Sequence, residues 1–479
     1  MDEVAVAVVG GGITGLAAAH ELHRRRVPFA LFEGAPRLGG MIRTESAGGF
    51  TIDAGPDSLL VHKPAALALC RAVGLGPRLV PTLPPRAAYV LRRGRLRPLA
   101  RGSVLGIPTG PGPLARNGPL SWRGRLRMAL DLTLPARDAG DESVAAFFRR
   151  RFGQEAVDFL AEPLLAGIHA GEVERLSVRA LFPTLVEAER NAGSVIRGLR
   201  RQRARRARGG PDEGPFRSLP GGLGELVTAV AGRLPPAAVR CGSPVRAIEG
   251  SGPFRMALDG GRIAARQVIL AVPARAAAAL LAPLDARAAQ LAAAIRHTSS
   301  ATVTLAWPRR TVGRPIRGSG FVVPWIERVS GGLAILAGTS ISSKWPGRSP
   351  DGQALFRGFV GGARDPGALA RTDEDLVDAV HRDLARVLAI TGAPTLARVY
   401  RWPDANPQHE VGHLATVAAI DARLARLRGL HLAGAAFRGV GIPDCIAAGQ
   451  AAAAAAAEAA RGAPRDLAAA VPAAGVPAG

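Results

Sequence analysis

The sequence predicts an α/β protein: a Rossmann-like dinucleotide-binding unit, with a helical block and an α+β part set between its pieces. Three observations carry this. The chain opens on an apolar run, Val4 to Val9, followed at once by Gly10, Gly12 and Gly15 in G-x-G-x-x-G spacing and an Ala- and Leu-rich stretch to Arg26. Residues 120 to about 200 show helical periodicity, whereas 285–400 reads as short strands with one helix. The segment 430–461 then returns to strand, glycine turn and helix.

An apolar run bounded by glycine suits a parallel strand buried on both faces. The glycines let the backbone turn tightly and approach a pyrophosphate at the positive end of the following helix. Gly11, Ile13 and Thr14 complete that loop. A second strand, Phe29 to Phe32, ends at Glu33, 23 residues after Gly10, where an acid meets a ribose 2′-hydroxyl. Strand, glycines, helix, strand and acid in this order point to a bound dinucleotide. Gly34 follows, and then a doublet, Gly39 and Gly40, in RLGGMIRT. The doublet predicts a second close backbone approach, with Arg37 or Arg43 facing phosphates.

Farther on, 63–76 is an amphipathic helix closed by glycine, and 87–99 a hairpin turning at Arg93-Gly94. The Gly- and Pro-rich stretch 101–119 reads as loop. In the helical block, Asp141 or Ser143 sits at an N-cap, and seven Arg within 197–210 read as a solvated loop. Next come strand, glycine turn and helix (216–234), then strands at 239–250 and 261–274 with a hairpin between them. Strands follow at 301–307, 319–324, 333–338 and 355–360, with a helix at 373–390. In 430–461 the final helix begins near Pro443, and an Ala/Pro/Val tail after Gly462 reads as disordered.

At 479 residues the chain can bury a large core in two or three domains. Its net charge is +24, but only Lys63 and Lys344 among 62 basic residues are lysine. With this much Ala and Gly, the arginine excess looks like a GC-rich codon bias. The rest of the charge suits an acidic substrate or an anionic membrane surface. No basic-aromatic platform is visible, which argues against nucleic acid. Cys70, Cys241 and Cys445 are scattered and read as buried, reduced thiols of a cytoplasmic protein. No His cluster has ligand spacing, so no metal is expected. The first strand begins too early for a signal peptide, and the Ala run 447–460 is too short to span a bilayer.

The chain resembles the flavin-dependent protoporphyrinogen oxidases, bacterial branch, within the flavin amine oxidase superfamily. The segments carrying this are AGPDS (54–58), KPAAL (63–67), YVLRRGRLRPL (89–99), LAGIHAGEVERLSVRALFP (165–183), SLPGGLGEL (218–226), VGGARDPG (360–367) and LAGAAFRGVGIPDCIAAG (432–449). The resemblance implies a discontinuous FAD-binding domain of the flavin amine oxidase type (1–85, 214–284 and 400–462). It implies a helical membrane-facing domain (86–213) and a mixed-sheet substrate domain (285–399), with 463–479 as tail. One non-covalent FAD per chain is expected, and no second fingerprint for NAD appears. Gly10, Gly11, Gly12, Ile13, Thr14, Gly15, Glu33, Gly34, Gly39, Gly40, Gly55, Pro56, Asp57 and Ser58 would hold its ADP half and ribityl chain. Val245 would meet the adenine, while Trp402, Val440, Gly441 and Ile442 would border the isoalloxazine. Arg86 would take a substrate propionate, Gly167 would offer its carbonyl, and Ser319, Val322 and Phe359 would line the substrate. Three positions depart from the pattern: Met41 follows the doublet in place of Arg, Ser319 stands where relatives often have Phe, and Asp57 replaces an Arg of the animal enzymes.

The implied reaction is the six-electron oxidation of protoporphyrinogen IX to protoporphyrin IX in haem synthesis. It runs in three two-electron rounds, with O₂ as acceptor and H₂O₂ released. Coproporphyrinogen III is the alternative substrate, and amine oxidation the rival within the superfamily. That rival usually has a pair of aromatics, often Tyr, at the flavin and a nearby lysine, yet the only tyrosines are Tyr89 and Tyr400 and the strand 302–307 holds no Lys. No catalytic acid or base is identified. Peripheral attachment to the inner face of the cell membrane and a homodimer complete the expectations.

Overall fold

The computed structural model describes residues 3–207 and 214–461. The expected tail after Gly462 lies outside them. Two seven-stranded sheets organise the chain. In the first, Glu3–Val9 lies centrally, parallel to Phe29–Phe32 on one side and to Gly261–Leu270 on the other. Val239–Arg240 extends one edge in parallel, and Leu430–Leu432 pairs parallel to Gly261–Leu270. The strands Phe254–Leu258 and Val245–Glu249 add an antiparallel hairpin.

Both faces of this sheet are covered, which is why its strands are apolar throughout. On one face the helices Ile13–Arg24 and Ile442–Arg461 pack together, with Leu16, Leu22, Ile446 and Ala453 in one core. Small residues permit that contact: a Cβ at Gly449 would lie 2.1 Å from the Thr14 carbonyl oxygen. On the other face Ala274–Leu281, Ala286–Ala293 and His413–Leu424 cover Val268, Leu270 and Phe32.

The second sheet runs Leu396–Pro407, His297–Pro308, Gln353–Gly361, Ala337–Ser340, Gly320–Val322, Ala88–Arg92, Arg95–Pro98. The hairpin 88–98 is therefore hydrogen-bonded into this sheet, through Ala88–Arg92 parallel to Gly320–Val322. Strand His297–Pro308 alternates: Ala301, Val303, Leu305 and Trp307 join the core with helix Asp373–Leu388. Ala306 on the opposite face joins Phe50, Ile52, Ala54, Trp345 and Tyr400. That second face meets the stretch following the glycine doublet.

The helical block has its own core around Phe147, Phe148, Phe152, Leu160 and Leu185. Ser143 is the N-cap of Val144–Phe152, accepting from Ala146 N at 3.1 Å. Asp141 instead accepts from Gly412 N and the Ser177 hydroxyl. Several expectations are corrected. The Arg cluster is not a loop over its described part but the helix Val195–Ala207, because arginine is a good helix former and no Gly or Pro interrupts 199–207. The stretch 101–119 holds a short hairpin, Ser103–Val104 with Ile107–Pro108, and the helix Pro111–Ala115. A helix, Trp325–Gly331, closes on the left-handed Gly332 and delays the next strand to Ala337–Ser340. Cys241 is exposed, whereas Cys70 and Cys445 are buried. Among the described residues no helix is long and apolar enough to cross a membrane.

Candidate functional site

The two glycine loops are bonded to each other. Gly39 N donates to Gly11 O at 2.8 Å, and Gly12 and Gly39 form an isolated parallel bridge. The crowding explains the residue choice. A Cβ at Gly10 would sit 2.5 Å from Ala271 O, and one at Gly15 only 1.8 Å from Gly10 O. Gly10 and Gly39 also have φ of +107° and +101°, which L side chains rarely adopt. Gly12 differs: a Cβ there would meet nothing within 4 Å. The loop is thus closed behind and open at Gly12, at the start of helix Ile13–Arg24, as close approach of a phosphate requires.

Glu33 occupies the loop. Its carboxylate accepts from Gly11 N at 2.6 Å and Ala35 N at 2.7 Å. Gly34 lies against Pro244, and Ser243 N donates to Glu33 O, which brings Val245 beside the end of this strand. Of the two candidate arginines, Arg37 donates to the carbonyls of Leu38, Gly40 and Ile42, while Arg43 lies over the Tyr400 ring.

Gly55 begins the second wall. A Cβ there would overlap Met41 O at 2.1 Å and touch Trp402. Trp402 Nε1 and Thr302 Oγ1 both donate to Ala54 O, tying the second sheet to this loop. Pro56 leads into Asp57, a buried carboxylate held by Lys344 at 2.8 Å, Arg357 at 3.1 Å and the Ser58 hydroxyl at 2.6 Å. The two cations and the hydroxyl outweigh burial and keep Asp57 well below the usual carboxylate range. On the third side Val440, Gly441 and Ile442 start helix Ile442–Arg461 close to Asp444, which pairs with Lys63 at 2.6 Å.

The substrate-side residues fall into two groups. A Cβ on Gly167, in helix Glu162–His169, would lie 3.6 Å from both Ala337 and Val322, and Ala337 pairs with Val322 and Phe359 across the sheet. Gly167, Val322 and Phe359 therefore converge. Arg86 and Ser319 lie apart from them, joined through Ala87, whose carbonyl accepts from Ser319 N. Arg86 is exposed and donates to Thr82 O at 3.1 Å.

Three features escape a reading of the sequence. Lys344 and Arg357 stand 287 and 300 positions after Asp57; the one clue is that Lys344 is a rare lysine. His409 and His413 stack at 4.0 Å, and His409 Nε2 donates to Ala435 O at 2.9 Å, beside the glycine turn of the last segment. Burial lowers both, His413 to about 3. Glu162 is buried under Trp325, accepting from its backbone N at 2.9 Å.

Burial pushes Glu162 up to about 7, although Arg364 lies 3.5 Å away. A carboxyl raised by folding favours the fold fully below its ordinary value near 4.5 and loses that advantage as the pH rises through 7. Glu162→Gln, which keeps an acceptor for Trp325 N, is therefore expected to match wild type in urea unfolding at pH 4. It should gain on wild type at pH 8 by at most about 3 kcal/mol. An equal difference at both pH values would contradict a buried, titrating Glu162.

A glycine cradle at a helix N-terminus, walled by a second sheet, is the geometry of a dinucleotide-binding protein. The family model for flavin containing amine oxidoreductase matches residues 13–457, and the chain belongs to that family. It is 38 % identical over 466 residues to coproporphyrinogen III oxidase of Bacillus subtilis (strain 168), covering 93 % of this chain and 96 % of that one. It is 31 % identical over 475 residues to protoporphyrinogen oxidase 1, chloroplastic, of Spinacia oleracea (92 % and 81 % covered). A crystal structure from Exiguobacterium sp. 255-15, provisionally named a protoporphyrinogen oxidase, superposes with a TM-score of 0.83 at 32 % identity, covering 96 % and 99 %.

Proposed function

We propose that this chain binds FAD and oxidises a porphyrinogen, withdrawing six electrons to give the porphyrin. The full-length likeness to porphyrinogen oxidases of both substrate types carries this reading. Protoporphyrinogen IX and coproporphyrinogen III both lie within it. Relatives at 38, 34 and 32 % identity, all named coproporphyrinogen III oxidase, weigh toward the latter.

Bound FAD supplies a two-electron acceptor that O₂ regenerates after each of three rounds. The protein's own task is orientation and exclusion of water. Gly12 and Gly40 leave room for the pyrophosphate, Glu33 stands beside the ribose and Val245 beside the adenine. Gly55 to Ser58 stand along the ribityl chain, and Trp402, which Gly55 touches, borders the ring system with the start of Ile442–Arg461. Gly167, Val322 and Phe359 form an apolar wall suited to a tetrapyrrole. The amine-oxidase alternative finds little support: Tyr89 OH donates to Arg317 O, Tyr400 OH to Glu45, and Lys344 is spent on Asp57.

The deciding experiment is aerobic incubation of the purified protein with each reduced porphyrinogen, following porphyrin fluorescence and H₂O₂. Turnover no faster than autoxidation with both substrates would refute the reading. Arg86→Ala is expected to raise KM with a smaller change in kcat, costing about 1–3 kcal/mol in kcat/KM for one charge-assisted contact. Unchanged kinetics would remove Arg86 from the site.

A lipid surface belongs to the same proposal. Helix Trp122–Ala129 and the residue after it expose Trp122, Leu126 and Leu130 at four-residue spacing, flanked by Arg123 and Arg127. The basic helix Val195–Ala207 lies in the same block. Co-sedimentation with anionic vesicles at low salt and release at high salt are expected. Equal, salt-insensitive partitioning onto neutral vesicles would refute the electrostatic part.

A further inference from the structure

The loop Asp53–Ser58 rests on a buried charge cluster that the proposed chemistry does not use. Its anions are Asp53 and Asp57, both in that loop; its cations are Lys344, Arg348 and Arg357, all contributed by the second sheet and the segment 341–348. Every member's side chain is at most 10 % exposed. Arg348 Nη1 lies 3.0 Å from Asp53 Oδ2, and Arg357 also donates to Asp53 O at 2.6 Å and Gly55 O at 2.7 Å. Three cations thus stand with two carboxylates inside the cluster; Glu225, the next acid toward Arg348, is already paired with Arg78 at 2.7 Å. The Nε atoms of Arg348 and Arg357 have no hydrogen-bond partner among the described residues. Burial pushes the Asp53 carboxyl upward, against the Arg348 guanidinium that favours its charged form.

An uncompensated buried cation is costly, because desolvation is repaid only by a matching anion. Composition underlines the point: the chain uses Arg at nearly every basic position but places a lysine here, a compact ammonium over the Trp345 ring and against Asp57. These cations are too deeply buried to touch a substrate carboxylate. They adjoin the Gly55–Ser58 wall of the cofactor cradle through the Arg357 bond to Gly55 O, and Arg357 also lies over the Phe359 ring.

We propose that Lys344 and Arg357 form a positively biased platform that favours the reduced, more negative flavin and so raises its reduction potential. The inference rests on the cofactor reading above. Lys344 and Arg357 are positioning residues, acting through the field and through the Gly55 carbonyl that Arg357 holds. The unmatched positive charge finds its counterpart in electron density delivered to the flavin, and the cost of burying the excess is partly recovered on reduction.

The test is the flavin midpoint potential of purified holoprotein, measured by reductive equilibration with a reference dye, together with FAD content. Lys344→Gln and Arg357→Gln are expected to shift the reduced-to-oxidised ratio at fixed potential at least tenfold toward oxidised flavin, about 30 mV for a two-electron couple. Asp57→Asn is expected to shift it the other way, and Arg357→Lys to leave it near wild type. Opposite signs for neutralising a cation and an anion would not arise from loosened packing. Unchanged potentials in FAD-loaded variants would overturn the proposal, as would loss of FAD from both Gln variants, which would make the cations structural. Wild-type protein that holds no flavin would instead sink the cofactor reading itself.

Discussion

Gly12→Asp is expected to give colourless protein that is folded. The position is the N-cap of helix Ile13–Arg24, with extended backbone (φ −66°, ψ 177°), so aspartate fits without strain. A Cβ there meets no protein atom within 4 Å, and a carboxylate at an N-cap stabilises a helix by a few tenths of a kcal/mol relative to glycine. Its harm falls entirely on the ligand. The new carboxylate takes the helix N–H groups and the positive end of the dipole that a pyrophosphate needs, and adds like-charge repulsion. Heat-released flavin in the supernatant should fall below a tenth of wild type, while thermal unfolding matches flavin-stripped wild type, the appropriate reference because bound cofactor raises apparent stability. A variant that retains full FAD would falsify the assignment of the opening loop; one that fails to fold would contradict the open space at Gly12.

The contrast between Gly12 and Gly15 shows what the sequence could and could not disclose. Both belong to one spacing pattern, and the pattern was enough to locate the strand Glu3–Val9, the helix beginning at Ile13 and the acid at Glu33. Which glycine faces open space and which is jammed against Gly10 O depends on backbone contacts that no spacing encodes. The same limit applies to Glu33: its distance from Gly10 was legible, but not its bond to Gly11 N. The convergence of Gly167, Val322 and Phe359 on Ala337 needs the register between three strands, and only the family resemblance suggested grouping them. Where local rules conflict, the sequence misled. The Arg-rich run was weighed by its charge, whereas its helix propensity and the packing of Val195, Ile196 and Leu199 into the helical core decide its form. Nothing in the sequence singles out Glu162, because its burial, with Trp325 N bonded to it, comes from a segment more than 160 residues away.

Asp131→Ala is expected to be the most destabilising single change outside the glycine loops. Asp131 is fully buried, and three donors converge on its carboxylate: Arg151 Nε at 2.6 Å, Ser194 Oγ at 2.6 Å and Ile196 N at 2.9 Å. Arg151, itself 1 % exposed, also donates to the carbonyls of Asp131, Pro135 and Gly193, with Glu189 at 3.4 Å. This pair links the segment before the helix Val144–Phe152 to the turn that begins Val195–Ala207. Removing one partner leaves a buried guanidinium with only Glu189, 3.4 Å away and shared with Arg150, which costs about 3–5 kcal/mol. Replacing both partners by apolar residues of similar size, as in Asp131→Leu with Arg151→Met, should cost less than the single change, because no charge is then stranded. Urea unfolding of the two variants decides it: a single variant within 1 kcal/mol of wild type would contradict the estimate of about 3–5, and a double variant worse than the single would show that the surrounding carbonyls, not the ion pair, dominate. The consequence reaches the site, since the same helical core supports Leu165 beside Gly167, so a partly unfolded block should lose substrate turnover before it loses flavin.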